Sequence, residues 1–123
     1  MTSTLPAFLH ARLDEQVAEA ARWRDLADRV GAAHGSPDPP EDDMLIGDYA
    51  YFALHKAADM LSAEVDAKRS LVGLHDVLRG EPGQPICQAD RSPHPCLTLK
   101  LLAAPYAMHR DHDREWHPRA RRV

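Results

Sequence analysis

Leu5, Leu9, Leu13, Val17, Ala20, Trp23, Ala27 and Val30 recur at steps of three and four residues, the spacing that lines one face of a helix with a 3.6-residue period. Arg12, Asp14, Glu15, Glu19, Arg22, Arg24, Asp25, Asp28 and Arg29 fall between them and are expected on a solvated face. The pattern predicts a helix from Leu5 to Val30. Ser3 or Thr4 is expected to cap its start, Pro6 fits the first turn, and Gly31 is the expected stop.

A second stripe follows. Met44, Tyr51, Leu54, Ala58, Leu61, Val65, Leu71 (or Val72), His75 and Leu78 trace a helical face from about 44 to 78, with Asp42 or Asp43 as its cap and Gly80 and Pro82 as its end. Residues 31–43, rich in Gly, Pro and acids, cannot continue a helix and read as a linker. A loop with several prolines spans about 80–96. A third helix starts near Cys96 or Leu97, turns Leu99, Leu101, Leu102 and Tyr106 inward, and should kink at Pro105. Nothing reads as a strand.

Length then restricts the architecture. A helix of about 26 residues is roughly 39 Å long, whereas a compact chain of 123 residues has a radius of gyration near ~14 Å. The expected fold is therefore all-α: an elongated antiparallel helical hairpin in one domain over 1–123, plus a short kinked C-terminal helix. Its apolar faces need cover, and a homodimer through helix faces is the favoured solution.

Charge and composition exclude several classes. No apolar run approaches the roughly 18 residues of a membrane span, and the first ten residues lack a secretory signal, so a cytoplasmic setting is expected. The net charge of −4 argues against broad nucleic-acid binding. Residues 1–62 carry net −6 and residues 63–123 net +2, a division that can guide association. Arg119, Arg121 and Arg122 make a basic tail too short to establish nucleic-acid binding, and it is the sole support for a third, weaker reading, a DNA-binding regulator.

The stretch with the clearest chemistry is His75, Cys87 and His94-Pro95-Cys96. Zinc takes four ligands in a tetrahedron and favours imidazole and thiolate. Pro95 biases His94 toward extended backbone, in which residues two apart share a side. His94 and Cys96 would then face one ion, with His75 and Cys87 completing it. Free thiols and a disulfide or redox pair are the other readings of the two cysteines.

Two further sets are weaker. His55 with Asp59, and His10 with Asp14, lie one turn apart on the two long helices. Facing helices in metal-bundle proteins use such pairs, so a small metal-dependent enzyme is the alternative function. His109, His112 and Asp113 would share a face if helical, although a solvated charged run is the plainer reading. Trp116 is expected to anchor the tail. There is no Gly-rich phosphate loop and no nucleophile–base pair. The residues do not name an activity.

Pro95-Cys96-Leu97-Thr98-Leu99-Lys100-Leu101-Leu102-Ala103-Ala104-Pro105-Tyr106-Ala107-Met108-His109, followed by Trp116, resembles the C-terminal signature of a family of short actinobacterial proteins of uncharacterised activity. Glu64-Val65-Asp66-Ala67-Lys68-Arg69 and the opening Phe8-Leu9-x-Ala11-Arg12-Leu13-Asp14-Glu15 resemble two further blocks of that family, in the same order. Some of its members carry cysteines before the Pro-Cys pair in a zinc-knuckle-like arrangement, which Cys96 and, by position, Cys87 would match. Arg110 replaces the usual Pro and His112 the usual Tyr, so the tail is expected to dock differently. Because a close Cys-x-x-Cys pair is missing, a complete site must recruit His75, His94 or a neighbouring subunit. The resemblance implies no activity and strengthens only the case for a structural metal. Helices that outrun their own core, and a proline-stiffened Cys/His loop without a catalytic set, lead to the expectation of a zinc-stabilised accessory or regulatory protein that acts by contact with other proteins and not by catalysis.

Overall fold

The computed structural model describes residues 4–33, 41–79 and 82–118, and for 33 and 41–47 the backbone alone. It is all-helical, with no strand among the described residues: α1 (Leu5–Ala33), α2 (Glu41–Leu74) and α3 (Leu97–Ala103), then 3-10 turns at Ala104–Tyr106 and Arg114–Trp116. The chain divides into two compact units. One comprises Met1–Leu13 with Ala67–Val123, and the other Asp14–Asp66.

α1 begins where expected, with Thr4 Oγ1 accepting from the Ala7 N–H at 3.3 Å; Ser3 lies outside the described residues. Its end is different. The helix runs through Gly31 to Ala33, and a Cβ at Gly31 would lie 3.0 Å from the Tyr51 ring. Gly31 is thus a notch for an aromatic side chain, not a stop. α2 starts at Glu41, so Asp42 and Asp43 lie inside the helix and the linker is shorter than 31–43 at both ends. Its central part, residues 34–40, is outside the described residues, as is the basic tail from Arg119.

In the Asp14–Asp66 unit, α1 and α2 pair antiparallel. Arg24 reaches Asp59 at 3.1 Å and Ser62 at 3.0 Å, and His55 reaches Asp28 at 3.1 Å, so positions that ascend on one helix meet positions that descend on the other. The contact line on α2 runs Tyr51, Leu54, Ala58, Leu61 and Val65 at alternating steps of three and four, the spacing of a helix–helix seam. The fully covered residues are small: Ala20, Ala27, Ala58 and Val65. Val17, expected inside, is 49% exposed. Trp23 is only half-buried because its indole N–H donates to Glu19 Oε1 at 2.8 Å. That bond and the Arg22 guanidinium hold the Glu19 carboxyl below its usual range, the arginine contributing more.

The other unit has a core of large side chains. Leu5, Phe8, Leu9, Val72, Cys87, Cys96, Leu99, Ala103 and Trp116 form one buried cluster, with Leu102 and Tyr106 packed against it. Val72, not Leu71, faces inward on α2. Trp116 anchors the tail as expected, its ring 5.1 Å from that of Phe8. Arg12, expected on the solvated face, is only 7% exposed: its guanidinium lies 5.0 Å over the Phe8 ring and bonds to His109 Nε2. Pro105 acts as predicted, since α3 tightens into a 3-10 turn there.

α2 ends four residues earlier than its apolar pattern predicts. At Asp76–Leu78 the backbone pairs with the following loop: Val77 bridges Cys87, Leu78 N–H donates to Ile86 O at 2.8 Å, and Gln88 N–H to Asp76 O at 2.9 Å. These groups leave the helix ladder for a second set of backbone partners, which satisfies them equally well. The exit places His75 at the mouth of the loop.

Candidate metal centre

Three segments converge on His75. Its own N–H still donates to Leu71 O at 3.0 Å, so the imidazole is fixed at the last turn of α2. In the loop, Ile86 bridges Pro93 and Cys87 N–H donates to Ser92 O at 2.8 Å, making a hairpin-like pair of arms. The turn between the arms is closed by Arg91 N–H to Cys87 O at 2.9 Å, with Arg91 in the left-handed region at φ 58°. Cys96 then precedes α3 in extended conformation, and its side chain makes no capping bond to the helix. Its sulfur is available to the interior.

His75 Nδ1 lies 3.5 Å from Cys87 Sγ, 3.5 Å from Cys96 Sγ and 3.2 Å from Asp90 Oδ2. The four ligand atoms all fall within 4.8 Å of one another. A zinc ion with bonds of about 2.3 Å to sulfur and about 2.0–2.1 Å to nitrogen and oxygen has tetrahedral nitrogen–sulfur edges of about 3.5 Å and nitrogen–oxygen edges of about 3.4 Å. The three edges from His75 Nδ1 match such an ion, and the other three lie within 4.8 Å. Two sulfurs, one imidazole and one carboxylate are also a chemically apt donor set, since thiolates select soft or borderline cations over magnesium and calcium.

The electrostatics at Cys96 favour its neutral thiol. Burial pushes the Cys96 thiol above its ordinary range, and the neighbouring Cys87 and Asp90 add to the rise, while the Leu99 backbone opposes it. A cation would supply the positive charge needed to hold both sulfurs as thiolates.

The structure brings together Cys87, Cys96 and His75 of the four residues singled out by sequence. His94 is placed elsewhere. Its N–H donates to Pro85 O at 3.0 Å, at the end of the arms opposite the turn. Its side chain lines a mostly apolar recess of about 430 Å³ with Leu5, Val77, Pro85 and Trp116. Burial lowers its pKa there, against a smaller opposite effect of Asp76, and its covered Nε2 has no partner among the described residues. Asp90 takes the fourth position instead. The signal for it was present: Cys87-x-x-Asp90 has the close spacing of paired zinc ligands, with a carboxylate where a second cysteine was sought.

The other candidate sets do not assemble. Asp59 pairs with Arg24 and is 72% exposed, His55 pairs with Asp28, and His10 Nδ1 meets Arg69 at 3.2 Å. The segment from His109 to Asp113 is a run of turns, not a helix. His109 and His112 lie edge-on to Phe8 at 5.6 and 5.7 Å, and Asp113 caps the Glu115 N–H at 2.9 Å. Among the described residues, the His75 cluster is the single grouping of three or more potential metal ligands.

The chain belongs to a family of unknown function (DUF6221), whose profile matches residues 2–118. No curated protein and no solved structure matches it. Among the described residues, no helix is long and apolar enough to cross a membrane.

Proposed function

We propose that the protein is a zinc-stabilised helical module that works through contacts with other proteins, a second copy of itself foremost, and not through catalysis. The observation that carries this reading is the convergence of His75, Cys87, Asp90 and Cys96 from three separate segments. An ion there ties the end of α2, the loop and the start of α3 with protein ligands at all four positions, the pattern of structural zinc. The cysteines belong to the hydrophobic cluster itself, so metal binding and core formation are coupled. Thiolate ligation needs reduced sulfurs, in keeping with the cytoplasmic expectation.

Support for a contact role lies on α2. Tyr49, Phe52 and Met60 are 78%, 69% and 62% exposed and sit at helical spacing. Exposed aromatic and methionine side chains at such spacing are the anchors that helix-mediated interfaces use.

Elemental analysis of the purified chain tests the first half: one zinc per chain is expected, falling to none in Cys87→Ser and Cys96→Ser. Stoichiometry unchanged in Cys96→Ser would remove the proposed ligand. Sedimentation equilibrium tests the second half. A dimer that dissociates in Phe52→Glu supports the contact face, and a monomer at all concentrations removes self-association.

A further inference from the structure

We propose that the coordination position held by Asp90 is exchangeable, so that the bound ion accepts an uncharged imidazole-type nitrogen donor from solution in its place. This rests on the metal reading above. The four ligands are unequal in their access to water. Cys87 and Cys96 are 0% and 2% exposed, and the side chain of His75 is 13% exposed, but that of Asp90 is 40% exposed. Asp90 also sits on the turn between the loop arms, whereas the other three are held by the core cluster or by the last turn of α2. Three ligands are thus anchored inside, and one is an arm at the surface.

The chemistry points the same way. A divalent zinc with two thiolates and a carboxylate carries a net negative charge next to a hydrophobic core, which is costly to desolvate. Replacing the carboxylate by a neutral nitrogen removes that charge and provides a donor better matched to a borderline cation. The released carboxylate returns to water that it already meets. Zinc with three protein ligands takes a water or an external ligand in the fourth position, and release of Asp90 leaves the ion in that state. The step is a ligand exchange: the bond from the ion to the Asp90 oxygen breaks and one to nitrogen forms. No electron moves, and a neutral donor brings no proton to dispose of.

The test uses the full chain loaded with cobalt(II), whose visible d–d bands report the ligand set and whose thiolate-to-metal charge-transfer band reports the sulfurs. Imidazole is added at constant pH and ionic strength. The expected result is a saturable shift of the d–d bands with the charge-transfer band retained. Asp90→Ala should respond at a concentration at least tenfold lower, and Asp90→Cys, where a third thiolate closes the site, should not respond. Wild-type bands that stay unmoved, or a charge-transfer band that fades as imidazole is added, overturn the proposal while leaving the metal site in place. A chain that never develops the charge-transfer band overturns the metal reading, and this inference with it.

Discussion

Around Phe8 the chain covers its largest side chains, and around Ala27 its smallest. The first unit buries Phe8, Leu99 and Trp116 together with both cysteines. The Asp14–Asp66 unit covers Ala20, Ala27, Ala58 and Val65 and leaves Tyr49 and Phe52 outside. A seam of alanines brings two helices close, but each buried residue removes little apolar area from water, and that area sets the driving force. The His75, Cys87, Asp90 and Cys96 cluster lies in the unit that already has the better core. We read an ion there as the tie that holds to that core a loop whose backbone pairs mainly with itself and with Asp76 and Leu78. The alanine seam depends instead on regular packing along its length.

Perturbing the two units separately should expose this contrast, and the largest effect is expected at the metal. Chelation of zinc should lower the thermal midpoint by roughly 10 °C or more, since structural zinc contributes folding free energy outright and ~1 kcal/mol shifts the midpoint by several degrees in a domain of this size. The metal-free chain should also become pH-sensitive. Because burial raises the Cys96 pKa, the neutral thiol is favoured in the folded state, and that contribution is lost as pH rises through the thiol range, about 8.5 and above. Thermal melts of chelated protein across this range should fall with pH, while zinc-loaded protein, whose thiols are already deprotonated, should not follow. Equal pH profiles would place the thiols away from the metal.

Next in size is Trp116→Ala, which removes a large ring from the Phe8 cluster and should cost about 3–5 kcal/mol in urea denaturation. A cost below ~1 kcal/mol would mean that the tail does not anchor the core. In the alanine seam the informative change is enlargement. Ala58 is 0% exposed, and Ala58→Leu should destabilise by about 1–3 kcal/mol through overpacking; free accommodation would show the seam to be loose. The smallest effect, of opposite sign, is expected at Gly73, where a Cβ would meet nothing within 4 Å. Gly73→Ala should stabilise α2 by about 0.5–1 kcal/mol, read as a higher urea midpoint.

The long helices were legible because their apolar spacing is set by helix geometry over many turns. What escaped was decided by tertiary partners. Gly31 looks like a helix stop, and only the Tyr51 ring beside it shows why it continues. Arg12 follows the polar pattern, yet the Phe8 face and His109 draw it inside. At the site, His75, Cys87 and Cys96 were identifiable as donors by residue type, but the choice between His94 and Asp90 depends on the pairing of the loop arms, in which Ile86 meets Pro93. That pairing puts Asp90 on the turn and His94 beside Pro85. On α2 the spacing did separate neighbours: Tyr51 falls on the apolar stripe and is half-buried, while Phe52 falls off it and is exposed.

The central claim is that one ion is held by Cys87, Cys96, His75 and Asp90. X-ray absorption at the zinc edge of the purified chain measures this directly. The account predicts two sulfurs at about 2.3 Å and two lighter atoms at about 2.0–2.2 Å, with one sulfur lost in each cysteine variant that retains any metal. A shell of nitrogen and oxygen alone, or of sulfur unchanged by Cys96→Ser, would contradict it.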